Sequence, residues 1–131
     1  MKNAFVDAFF WLALLNPRDA HHSVALAYPL PARLVTSAAV LLEVMDACAS
    51  VGKRRTAAGF WNQCRNDGKL EIVPLTSHLL DQAALLYTQR PDKAWSLTDC
   101  ISFTIMSQQN LHLALTADKH FEQAGFERAF V

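Results

Sequence analysis

The chemistry this chain can offer lies in its carboxylates. Asp7 closes the short β-rich run "NAFVD", Asp99 lies in the first turn of a predicted helix in "SLTDCISFTIM", and Asp118 ends the apolar run "LHLALTAD". Glu43 sits in "AAVLLEVMDA" beside Val40, Leu41 and Val44, on what would otherwise be a buried helix face. Ionised acids in such surroundings are costly unless paired. Two carboxylates ~4 Å apart repel by about 4 kcal/mol at an effective dielectric of about 20, so three or four together need a cation or must take up protons. Ligands that are all oxygen suit Mg²⁺ or Mn²⁺ better than zinc, which prefers sulfur and nitrogen. A divalent ion so held polarises a phosphate, activates a water and stabilises the leaving oxygen, which is the chemistry of phosphodiester hydrolysis.

For those acids to meet, the chain must bring distant segments to one edge. The pattern predicts strands in "NAFVD", "RLVTS", "LEIVPLT", 111–117 and "ERAFV". Between them it predicts helices in "AFFWLALLN", "RDAHHSVALAY", "AAVLLEVMDACAS", "KRRTAAGFWNQCRNDG" and "SHLLDQAALLYTQR", then over 97–109 and 119–124. Pro17, the prolines of "YPLP", Gly68 and Gly125 punctuate them, and Ser37 is placed to cap the helix that follows it. Apolar strands separated by helices indicate an α/β fold, a parallel sheet covered on both faces. Ligands bind such sheets outside the carboxyl ends of the strands. Asp7 and Asp118 fall at that edge, and a right-handed crossover starts the helix of Asp99 there too.

Composition bounds the remaining possibilities. At 131 residues and 52% hydrophobic, the chain fits one domain, 1–131, with a single sizeable core. Its apolar runs stop short of the ~20 residues of a membrane span, and an aspartate inside the first run argues against a signal peptide, so a cytoplasmic protein is expected. Twelve basic residues against twelve acidic ones leave no general attraction to nucleic acid, so any such binding is local. Near-neutrality with abundant apolar surface favours self-association or a permanent partner. Cys48, Cys64 and Cys100 are scattered, with no C-x-x-C pair, and are read as buried free thiols.

Several of these residues also have purely structural readings. Ser96 and Asp99 fit an S-x-x-D capping box, Asp118 can start a turn, and Glu43 can reach water from a helix edge. Capping and catalysis can coexist. His21, His22 and His120 are read as surface or capping residues, and no His-x-x-x-His spacing accompanies the acids to suggest zinc. Lys53, Arg54 and Arg55 form the one basic cluster, which either grips RNA phosphates or is a solvated helix face. Trp11, Trp61 and Trp95 belong to a core or a dimer interface before a base-stacking surface.

In order and spacing, "FVDAFFWLALLNPRDAHH", "TSAAVLLEVMDA", "WSLTDCISFTIM" and "LALTADKHFEQAGF" resemble the motifs of PIN-domain ribonucleases, especially VapC-like toxins of bacterial toxin–antitoxin pairs. The resemblance spans essentially the whole chain, and Asp7, Glu43, Asp99 and Asp118 are the counterparts of the family's acids. It implies a five-stranded parallel sheet flanked by helices and an endoribonuclease dependent on Mg²⁺ or Mn²⁺. It further implies a homodimer held in check by a small antitoxin. Asp7, Asp99 and Asp118 are then the main metal ligands, with Glu43 on a second metal or orienting the attacking water. Thr98 and Thr116 could hydrogen-bond the carboxylates, and Asn16 either lines the site or only stops a helix. Two rivals stand beside this reading: another Mg²⁺-dependent aspartate-based phosphohydrolase, and a module with the same fold that binds nucleic acid or protein without cutting. A phosphatase would want D-x-D after the first strand, where this chain has "DAFFW".

Overall fold

A computed structural model describes residues 3–131. Five strands alternate with helices along the chain. They are β1 (Asn3–Val6), β2 (Arg33–Ser37), β3 (Leu70–Val73), β4 (Leu113–Leu115) and β5 (Glu127–Arg128). The helices are α1 (Ala8–Leu15), α2 (His22–Ala27), α3 (Ala38–Ala47), α4 (Arg54–Asn66), α5 (Ser77–Gln89), α6 (Leu97–Gln108) and α7 (Lys119–Gln123). One 3-10 turn, Val51–Lys53, leads into α4.

The strands form one sheet in the order β3-β2-β1-β4-β5, and every neighbouring pair is parallel. Phe5 pairs with Val35 on one side and with Ala114 on the other. Helices cover both faces because the central strands are apolar on both: Ala4, Phe5, Val6, Ala114 and Leu115 are all fully buried. The chain builds outward from β1 through β2 to β3, then returns to lay β4 and β5 on the opposite side. The order of strands therefore reverses between β1 and β4, and in such sheets ligands bind outside the carboxyl ends at that point.

Several expected elements are shorter than the sequence pattern suggests. Pro74 has no N–H to give the ladder, so β3 stops at Val73 rather than running through "PLT". β4 holds only Leu113–Leu115, because Thr116 folds back in a tight turn, donating its backbone N–H to Ala114 O at 3.0 Å. α7 closes in a Schellman motif: Phe126 N donates to Phe121 O at 2.9 Å and Gly125 N to Glu122 O at 3.0 Å, with Gly125 at φ 95°. That conformation suits glycine. Cys48, Cys64 and Cys100 are buried free thiols, as expected. Among the described residues no helix is long and apolar enough to cross a membrane.

Candidate active site

The four acids come from four separate segments. Asp7 occupies the N-cap position of α1, immediately after β1, but its side chain makes no capping bond. It is turned instead toward β4, where Thr116 Oγ1 donates to Asp7 Oδ2 at 2.9 Å. The same hydroxyl accepts from the Asp118 backbone N at 3.1 Å. Thr116, fully buried, thus ties the β1 acid to the loop that carries the β4 acid. Replacing it by valine removes both bonds and leaves a buried carboxylate and an N–H without that partner. Thr116→Val should therefore lower stability by about 1–3 kcal/mol in a denaturant titration, and a change under ~0.5 kcal/mol would exclude this coupling.

Asp99 opens α6 within a complete capping box: Ser96 Oγ accepts from Asp99 N at 2.9 Å, and Asp99 Oδ2 accepts from Ser96 N at 3.1 Å. The box uses only one carboxylate oxygen. Asp118 caps α7, its Oδ1 accepting from His120 N at 2.9 Å. Glu43 is exposed just past the middle of α3, the helix that Ser37 caps by accepting from Val40 N at 3.0 Å. It does not lie on a buried face: Val40, Leu41 and Val44 take the core side, and Glu43 falls beside exposed Leu42 on the flank.

The acids sense one another. Burial pushes the Asp7 carboxyl up to about 6; the Thr116 hydroxyl and the Ala8 N–H hold it down, while repulsion from Glu43 and Asp99 raises it further. The Glu43 carboxyl is also raised, first by desolvation and then by repulsion from Asp99 and Asp118. None of the four forms an ion pair with a lysine or arginine among the described residues. Glu43 makes no hydrogen bond there, and Oδ1 of Asp99 and Oδ2 of Asp118 take no part in the bonds just described. A cluster with oxygens in reserve and no lysine or arginine partner fits a divalent cation, which offsets the repulsion that burial and proximity build up.

One member of the cluster is not an acid. His120 Nδ1 lies 3.1 Å from Asp99 Oδ2 and 3.5 Å from Asp118 Oδ1, so it is not the surface or capping residue that its place near a helix start suggests. The signal available in the sequence was the D-x-H spacing of Asp118 and His120, since a capped first turn folds the second helical residue back toward its cap.

Other expected contributors lie elsewhere. Thr98 hydrogen-bonds none of the acids, because it precedes Asp99 by one residue and so sits about 100° around α6 from it. Asn16 is exposed at the far end of α1, roughly 12 Å of helix from Asp7, and its Oδ1 accepts from Arg18 N at 3.0 Å. It stops the helix and does not line the site. It shares a pocket of about 370 Å³ with Leu12, Leu15, Ala47 and Lys53, which places Lys53 at the distal ends of α1 and α3 as well. Arg54 donates to the Ala49 carbonyl at 2.9 Å, and Arg55 is exposed on the first turn of α4. The basic cluster is therefore not brought into contact with the acids.

A five-stranded parallel sheet with carboxylates at its point of reversal defines the class: the chain belongs to the PIN domain family, whose pattern matches residues 4–127. More particularly, it is homologous to the 23S rRNA-specific endonuclease VapC20 of Mycobacterium tuberculosis, with 30% identity over 125 residues, 93% of this chain and 94% of that protein. The crystal structure of that Mycobacterium tuberculosis protein, described as a Sarcin-Ricin loop cleaving toxin, superposes with a TM-score of 0.85 at 29% identity, covering 94% of this chain and 95% of that one. The fold is also shared with a chain of a toxin–antitoxin complex from Klebsiella pneumoniae, at TM-score 0.61 and 16% identity over 88% of this chain and 87% of that one.

Proposed function

We propose that this protein is a divalent-metal-dependent endoribonuclease and the toxin half of a toxin–antitoxin pair, a single domain over residues 1–131 acting in the cytoplasm, where its RNA substrate is. The observation that carries the proposal is the convergence of Asp7, Glu43, Asp99 and Asp118, mutually repelling and without a lysine or arginine partner among the described residues, at the carboxyl edge of β1 and β4. Asp7, Asp99 and Asp118 would hold Mg²⁺ or Mn²⁺, and the bound ion would neutralise the carboxylates and polarise both phosphate and water. Thr116 keeps Asp7 turned toward the cluster, and the capping box fixes Asp99 on the first turn of α6. Glu43, whose carboxyl has a raised affinity for protons, would orient the attacking water and take up its proton.

The homologue's substrate makes 23S rRNA the first RNA to test. Exposed apolar surface supports the partners. A groove of about 560 Å³ lined by Leu42, Met45, Trp61 and Leu75 suits an apolar segment of a small antitoxin. Leu80, Leu85 and Tyr87 on α5 offer a face to a second copy. Lys53, Arg54 and Arg55, at a distance from the acids, would meet only RNA that extends beyond the cleaved bond.

The test is cleavage of ribosomes and of isolated ribosomal RNA by the purified chain, with the new 5′ ends mapped by primer extension. Discrete ends should form with Mg²⁺ or Mn²⁺ and disappear with chelator. Cleavage that persists in chelator sinks the metal mechanism, and intact RNA under every condition sinks the nuclease reading.

A further inference from the structure

Building on the metal-site reading above, we infer that His120 is itself a ligand of the centre, which makes it a mixed oxygen–nitrogen site that selects Mn²⁺ over Mg²⁺. Asp99, Asp118 and His120 each present a ligand atom, and the three atoms lie within 4.8 Å of one another. Neighbouring ligands of a six-coordinate ion with bonds of about 2.1 Å stand about 3 Å apart. The Nδ1 contacts of 3.1 Å to Asp99 and 3.5 Å to Asp118 are close to that separation.

The imidazole does not reach this position by chance rotation on a mobile surface. Its backbone N–H is held by Asp118 Oδ1 at 2.9 Å, the next residue, Phe121, is fully buried in the core, and the Schellman motif locks the far end of α7. The side chain is still 24% exposed, so an ion and its waters can approach it. Mg²⁺ keeps its waters and favours oxygen donors, whereas imidazole suits transition metals, so one nitrogen among the carboxylates shifts preference toward Mn²⁺. A histidine that only hydrogen-bonded Asp99 would orient a carboxylate without changing which ion binds.

The experiment loads the purified protein with Mn²⁺ alone and records pulsed electron paramagnetic resonance spectra. A directly bonded imidazole nitrogen should appear as a hyperfine coupling that changes with ¹⁵N-histidine labelling and vanishes in His120→Asn. Titration of the same samples should show Mn²⁺ binding weakened on the order of tenfold by His120→Asn, with Mg²⁺ binding, read by competition, changed less than about twofold. Mn²⁺ bound without nitrogen coupling in the parent protein overturns the inference and leaves the carboxylate site standing. No Mn²⁺ binding at all overturns both. The parent spectrum decides the question even if the variant fails to fold, which circular dichroism would reveal.

Discussion

Asp99→Asn should fold like the parent and cleave RNA at least about a hundredfold more slowly. The amide matches the carboxylate in shape, and its oxygen can still accept from Ser96 N, the bond now made by Asp99 Oδ2 at 3.1 Å. The reciprocal bond from residue 99 N to Ser96 Oγ does not involve the side chain. The cap therefore survives, and stability should fall by no more than about 1 kcal/mol. What disappears is a negative charge shared by the whole cluster, since Asp99 raises the proton affinity of both Asp7 and Glu43. With one fewer charge the site should bind a divalent ion more weakly, and the Glu43 carboxyl should shift down toward its ordinary value. Rate measurements on a defined RNA stem-loop, paired with circular dichroism, check this. A variant that cleaves at the parent rate would make Asp99 a helix cap and nothing more.

The second large effect concerns Asp7 and is largely cancelled by metal. Burial pushes its carboxyl up to about 6 in the folded protein, from the ordinary aspartate value of 3.8. A folded-state value raised in this way means that the stability linked to the protonated form is fully present below about 3.8 and lost as pH rises through about 6. At pH 7 without metal the ionised Asp7 should thus cost the fold about 2–3 kcal/mol. Asp7→Asn removes that cost while its amide oxygen still accepts from Thr116 Oγ1, so the variant should melt higher than the parent in chelator at pH 7. Near pH 4 the two should converge. Metal at a hundredfold over its dissociation constant should stabilise the parent by about 2.7 kcal/mol and the variant by much less. A variant that melts lower than the parent in chelator, with no metal response in the parent, would instead identify Asp7 as an isolated structural acid.

The sequence made the architecture legible because its signals are local. Apolar strands such as "AFV" and "LAL" bounded by helical patterns can only belong to a covered parallel sheet, and that sheet places Asp7 and Asp118 at one edge. Ser37 and Ser96 announced their helix starts by type alone, and both cap as expected. What was not legible depends on how elements sit against one another. Glu43 reads as buried from its neighbours, yet only three-dimensional packing decides which flank of α3 meets solvent. Asn16 and the basic cluster keep both a site and a structural reading while their helices have no direction, and α1 carries Asn16 away from the edge where Asp7 begins it. His120 was hidden because its neighbour Asp99 is 21 residues away in sequence and meets it only when α7 docks beside α6.

The bond from Thr116 to Asp7 spans 109 residues. Contacts of such separation close late, after the loop between them has lost its freedom. During synthesis, Asp7 and Glu43 leave the ribosome long before Asp99, Asp118 and His120 have been made. The early strands can pair and the first helices can pack while the cluster still has only two of these five side chains. On the proposed reading, a chain of this layout has no complete centre until its last segments are released, so an inhibitor made in the same place would have the whole of translation in which to meet it.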